Sequence, residues 1–123
     1  MNYLYVSIGA AIGGVLRFGI SKLIYKIFTN PFPTGTLVVN VVGSFLIGLI
    51  MFYLEPKEIL TPGMRLLLTV GFCGGFTTFS TFSYETISLF RDSEIFLGSL
   101  NVLLNVFLCL IGVYLAYLLS KLV

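Results

Sequence analysis

Residues 71–85 read Gly71-Phe72-Cys73-Gly74-Gly75-Phe76-Thr77-Thr78-Phe79-Ser80-Thr81-Phe82-Ser83-Tyr84-Glu85. The stretch lies in the middle of a mostly apolar run from about Leu60 to Phe90, too long for one untilted crossing of a bilayer, which takes about 20 residues. Glycine is a poor helix residue and frees the backbone locally. The run therefore predicts two helical pieces joined by an irregular turn near Gly74 to Thr78. Broken backbone at membrane depth is tolerated where protein or a water-filled cavity satisfies it. Phe76, Phe79 and Phe82 recur every three residues and share one slowly turning face. Thr77, Thr78, Ser80, Thr81 and Ser83 fill most of the intervening positions with hydroxyls.

Composition supports a membrane reading of the whole chain. Of 123 residues, 58% are apolar and only 10% are charged, against about 25% charged in a soluble domain. Lipid must be the solvent for much of the outside. Outward from the central run, three further apolar segments follow the same rule. The expected spans are about 3–28, 35–54, 60–90 and 95–119, so the fold is an all-α membrane domain of four transmembrane helices, the third broken near its middle. Asn30-Pro31-Phe32-Pro33, Glu55-Pro56-Lys57-Glu58 and Arg91-Asp92-Ser93-Glu94 are the loops. The N-terminal segment lacks a basic region before its apolar stretch and reads as a retained helix, not a signal peptide.

The chain's polar residues limit its chemistry. Histidine is absent, which removes the commonest metal ligand and general acid/base. No nucleophile–base pair or phosphate loop stands out, so an enzyme is not expected. The seven basic residues are scattered, unlike the clustered basic face of a nucleic-acid binder. Cys73 and Cys109 fall inside apolar runs and read as buried thiols. If four spans put both termini on one side, Lys57, Arg65 and Lys121 lie there, and Lys22, Lys26 and Arg91 lie opposite, with Arg17 left out as intramembrane. Three against three gives no clear orientation by the positive-inside rule. The balance is compatible with insertion in both directions and an antiparallel dimer, or with the noise of a small count.

Within the spans, polar groups fall on helical stripes. Thr36, Asn40 and Ser44 recur at i+4 in the second span. Asn101, Asn105 and Cys109 do the same in the fourth. Glu85 follows Phe82 by three residues and either caps a polar track or marks the membrane edge. Each stripe fits an interhelical hydrogen-bond seam or the lining of a path. Arg17, in the first span, is either a cation facing an aqueous vestibule or a snorkelling anchor. Gly9, Gly13 and Gly14 let another helix approach closely. The rings of the third span add a specific possibility. A phenyl ring has a positive edge, which receives a small anion without a full charge and so without holding it too tightly to release. With the glycine break and the hydroxyls, this points to a permeation path for an anion.

At this point the chain resembles the Fluc-type (CrcB) fluoride channels. The resemblance rests on GGVLRF (Gly13 to Phe18), GTLVVNVVGSFLIG (Gly35 to Gly48) and GFCGGFTTFSTFSYE (Gly71 to Glu85), and it covers nearly the whole chain. It implies an antiparallel, dual-topology homodimer with two fluoride pathways along its interface, in a bacterial inner membrane. It implies that Phe79 and Phe82 line the pathway, that Asn40 is the pore amide, and that Ser80 and Thr81 are nearby hydroxyls. Thr36, Glu85, Asn101 and Asn105 would form a secondary polar track. A structural Na+ at the dimer centre would be held by backbone carbonyls of Gly74 and Thr77. Arg17 matches the family's first-helix arginine. The fourth span departs from the family, which often carries tyrosine or hydroxyl residues where this chain has Asn101, Asn105 and Cys109. That departure leaves room for one subunit of a heterodimeric channel. A different class, a small dual-topology proton-coupled drug exporter, would have to use Glu85 as its membrane carboxylate.

Overall fold

A computed structural model describes Met1–Val123 as an all-helical chain. Helix α1 spans Asn2–Ile27. It ends before Asn30, whose side-chain oxygen accepts the Phe32 amide in a tight turn fixed by the flanking prolines. Helix α2 spans Thr34–Leu49 and continues through a π-helical turn, Ile50–Leu54, and a 3-10 turn, Glu55–Lys57. Helix α3, Pro62–Leu66, starts with Thr61 capping the Met64 amide and Pro62 in the first turn, where its missing N–H costs nothing. It widens into a π-helical stretch, Leu67–Cys73, and tightens again as α4, Gly74–Phe76. Helix α5 spans Phe79–Arg91 and α6 spans Ile95–Leu122. Four continuous helical stretches, Asn2–Ile27, Thr34–Lys57, Pro62–Arg91 and Ile95–Leu122, are long and apolar enough to cross a membrane.

The break in the third span falls at Thr77 and Thr78, both extended (φ −90°, ψ 160° and φ −150°, ψ 122°). This is the C-terminal end of the expected turn from Gly74 to Thr78, but the glycines themselves are not where the helix opens. Gly74 is ordinary α-helix (φ −63°, ψ −37°). The glycines act instead through size. A β-carbon on Gly71 would sit 2.8 Å from the Val6 carbonyl, and one on Gly75 would sit 2.6 Å from that of Ala10. From the other side, Gly9 and Gly13 press on the backbone of Leu67 and Phe72. The third span and α1 thus meet backbone to backbone, as small residues allow in membranes. Gly14 is not part of this seam, since nothing lies within 4 Å of where its β-carbon would be.

This contrast gives a prediction. Gly13→Ala would put a methyl against the Phe72 carbonyl and 2.9 Å from the Phe76 nitrogen, and backbone cannot rotate aside. It is expected to cost at least about 2–3 kcal/mol in detergent unfolding, while Gly14→Ala is neutral or stabilising by about 0.5–1 kcal/mol.

Only 22 of 123 residues are buried, and large apolar side chains are exposed on every span, among them Phe18, Phe52, Tyr84 and Phe107. Water would not tolerate so much apolar surface on a monomer; lipid and protein partners would. At the span ends, Lys57 lies over the Tyr53 ring (3.7 Å), Lys121 over Tyr117 (4.5 Å) and Lys22 over Phe18 (5.9 Å), a natural arrangement for long cations leaving an apolar layer.

Candidate functional site

The site forms where α2 and α6 face the broken third span. Helices α2 and α6 pack closely because Gly48 faces Ala116 and Gly112 faces Val41 and Phe45. Gly43 on α2 leaves room for the Thr77 methyl, which no side chain at 43 would admit. An open groove of about 490 Å³ runs beside the break, lined among others by Asn40, Gly74, Thr77, Phe79, Phe82 and Asn105. Cys73 and Cys109, both free thiols, also line it.

One backbone group sets the polar geometry. Because Thr78 is extended, its N–H cannot serve the Gly74 carbonyl as helix would require; it donates to Asn40 Oδ1 at 2.8 Å. That bond fixes which way the Asn40 amide points. Asn40 Nδ2 then donates to the Thr78 carbonyl (3.1 Å) and to Asn105 Oδ1 (3.0 Å). Asn105 must therefore turn its own Nδ2 toward Asn101, whose carbonyl and Oδ1 both accept at 2.9 Å. Asn101 Nδ2 donates to Thr86 Oγ1 (2.9 Å), and that hydroxyl donates to the Phe82 carbonyl (2.8 Å). The result is a one-way relay from the break, across α2 and α6, back to the first turns of α5. Asn101 is fully buried, Asn40 and Asn105 nearly so.

The aromatic pair stands at the N-terminus of α5. Thr78 caps this helix, its hydroxyl accepting the Thr81 amide. Phe79 is 77% exposed and Phe82 is 7% exposed, with ring centroids 5.3 Å apart and planes tilted by 57°. Phe76 does not join them. The break rotates it away, and it stacks on Phe72 (5.5 Å, 11°). The hydroxyls sort into two kinds. Thr77, Ser83 and Thr86 bond back to carbonyls four residues earlier, the usual habit of Ser and Thr in helices. Ser80 and Thr81 do not: Thr81 accepts from Thr78 (3.1 Å), and Ser80 lies 3.5 Å from Thr78 Oγ1. Both stay at the helix cap and do not line the groove.

The remaining expected residues lie apart. Arg17 donates Nε to the Gly75 carbonyl at 3.0 Å, tying α1 to the broken span beside the break. Thr36 and Glu85 meet at Tyr25, a residue the sequence did not flag. The Tyr25 hydroxyl donates to Glu85 Oε2 (2.8 Å) and lies 3.3 Å from Thr36 Oγ1. Glu85 lines a separate cavity of about 310 Å³ with Tyr84, Asp92 and Glu94. Its other oxygen is buried with no partner in the chain.

The family described as "CrcB-like protein, Camphor Resistance (CrcB)" matches residues 4–117. The chain belongs to this family. A "Fluoride-specific ion channel FluC" of Shewanella amazonensis is 52% identical over 114 residues, 93% of this chain and 91% of that protein. The protein of the same name from Geobacter sulfurreducens is 50% identical over 111 residues, 90% of each chain. That of Geotalea uraniireducens is 44% identical over 118 residues, 96% of this chain and 95% of its own. These CrcB relatives are named as channels, not enzymes. The chain is thus a multi-pass membrane protein of an ion-channel family.

Proposed function

We propose that the chain forms a passive, fluoride-selective channel that lets fluoride out of a bacterial cytoplasm through its inner membrane. The observation that carries this reading is the groove itself: two tilted phenyl rings and carboxamides beside a helix break, with no fixed positive charge among its lining residues. Ring edges and neutral donors replace a small anion's water without trapping it. Hydrogen fluoride enters cells neutral and ionises at the higher internal pH, so the ion needs a route out. The relatives' names supply the identity of the ion.

The working unit in this proposal is an antiparallel homodimer with dual topology and two pathways. Two features support it. The groove is open, with Gly74 and the large Phe79 ring exposed on a single chain, so one chain offers half a conduit. With Arg17 set aside inside the first span, the other six basic residues divide three to three between the two sides, a balance compatible with insertion either way. A structural Na+ at the two-fold axis suits the break: Thr78 has given its N–H to Asn40, so the Gly74 carbonyl lacks that helical partner, and Gly74 and Thr77 line the same groove. Carbonyl oxygens are the hard ligands such a cation takes. The ion would hold the two breaks together; the anion path consists of the chain's own rings and amides.

Fluoride and chloride efflux from liposomes containing this chain alone tests the proposal. Rapid fluoride efflux with chloride at background is expected. Equal rates for both ions, or efflux that begins only when a second chain is added, would overturn selectivity or self-sufficiency respectively.

A further inference from the structure

Both amide hydrogens of Asn40 are already taken. One goes to the Thr78 carbonyl and the other to Asn105 Oδ1. An anion that takes a hydrogen bond from Asn40 must therefore displace one of these acceptors. Thr78 is the harder to move. It is backbone, and it is held twice, since its N–H also binds Asn40 Oδ1. Asn105 is a side chain with a single bond to Asn40, and it lines the groove. Its own Nδ2 stays anchored on Asn101.

From this we infer, building on the channel reading, that Asn105 is an internal stand-in for the anion. Its amide oxygen occupies the Asn40 donor when the path is empty and yields it when fluoride arrives. A fluoride ion forms a stronger, charge-assisted bond to the amide than the neutral Asn105 oxygen does, which favours the exchange. The displaced oxygen cannot retreat far, because Asn105 keeps its two bonds to Asn101. It remains beside the ion as a competing, repulsive dipole. Binding at Asn40 is thereby kept weak, as rapid release requires. The polarity of the relay is essential to this role. Had the Thr78 N–H not fixed Asn40, Asn105 could turn and present a donor. As built, it presents only an oxygen.

Asn105→Leu tests the idea, since leucine keeps the shape of asparagine and removes the acceptor. The half-saturating fluoride concentration of efflux should fall by about three- to tenfold, the equivalent of one neutral hydrogen bond, and the maximal rate should fall because release slows. Asn105→Asp should do the opposite. Its carboxylate holds Asn40 more firmly and repels the ion, raising half-saturation by at least about tenfold. A merely structural role would lower the maximal rate without moving half-saturation, and that result would overturn the inference. Unmodified protein provides a second measurement if the variants do not fold. The side-chain amide NMR signals of Asn40 and Asn105 should shift together on adding fluoride and not on adding chloride. A shift of Asn40 alone would also overturn it. If the wild type passes no fluoride, the channel reading itself fails; if it conducts and half-saturation is indifferent to residue 105, only the role of Asn105 fails.

Discussion

Phe79→Ile and Phe82→Ile each lower fluoride efflux from liposomes by at least about tenfold, and the double variant falls to background. Isoleucine keeps an apolar side chain of similar bulk and loses the ring edge. An anion in the groove has left its water behind, and an aliphatic side chain returns nothing for it. An edge contact worth about 1.5 kcal/mol, the upper end for ring interactions, converts to roughly tenfold in occupancy or rate. The two positions separate packing from conduction. Phe82 is buried, so its replacement also disturbs the helix core. Phe79 is 77% exposed in the chain, so an efflux loss at Phe79 cannot come from a cavity within the subunit. Phe107→Ile, at an exposed position on α6 that does not line the groove, should conduct as wild type. Wild-type efflux in both ring variants would remove the rings from the pathway.

Much of this architecture is legible in the sequence. Charge scarcity demands lipid, and two proline-bearing loops and one charged loop, Arg91 to Glu94, divide the apolar runs into four. The length of the third run and the glycines at its centre mark that span as broken. What sequence could not fix was the residue at which the break falls. The glycines drew attention because they are weak helix formers, yet α1 lies so close that Gly71 and Gly75 are needed for their size and remain helical. Within the expected window the break settles at Thr77 and Thr78, where Asn40 supplies a substitute partner for the backbone. Phe76 left the aromatic face for the same reason: a three-residue repeat shares a face only while the helix is continuous.

Long-range pairing was the second gap. Helical spacing put Asn101 and Asn105 on one stripe and Asn40 on another, but spacing within a helix carries no information about which stripes meet. Tyr25 gave no signal at all, standing in a segment that read as an amphipathic continuation, though its hydroxyl joins Thr36 to Glu85. From the sequence, Arg17 reads as a vestibule cation or an anchor. Its bond to the Gly75 carbonyl shows a contact that neither expectation included, made beside a break that leaves carbonyls in need of donors.

The clamp at the break leads to the second large effect. Asn40→Leu removes three hydrogen bonds at once: two from Nδ2 and one to Oδ1. Interhelical hydrogen bonds in membranes average only about 0.6 kcal/mol by double-mutant cycles, because freed groups usually find other partners. The N–H and C=O of Thr78 are backbone groups held in an extended turn, and leucine offers them nothing. Left unsatisfied, each costs about 1–3 kcal/mol, so a loss of roughly 2–6 kcal/mol in detergent unfolding is expected, with efflux at background. Asn40→Asp separates the clamp from the donor. It keeps an acceptor for the Thr78 N–H but sets carboxylate oxygens against the Thr78 carbonyl and Asn105 Oδ1, and it adds a charge that repels an anion. It should retain more stability than Asn40→Leu and conduct no better. If Asn40→Leu were as stable as wild type, the relay would not be what holds the break. If Asn40→Asp conducted normally, the amide would not be what the ion meets.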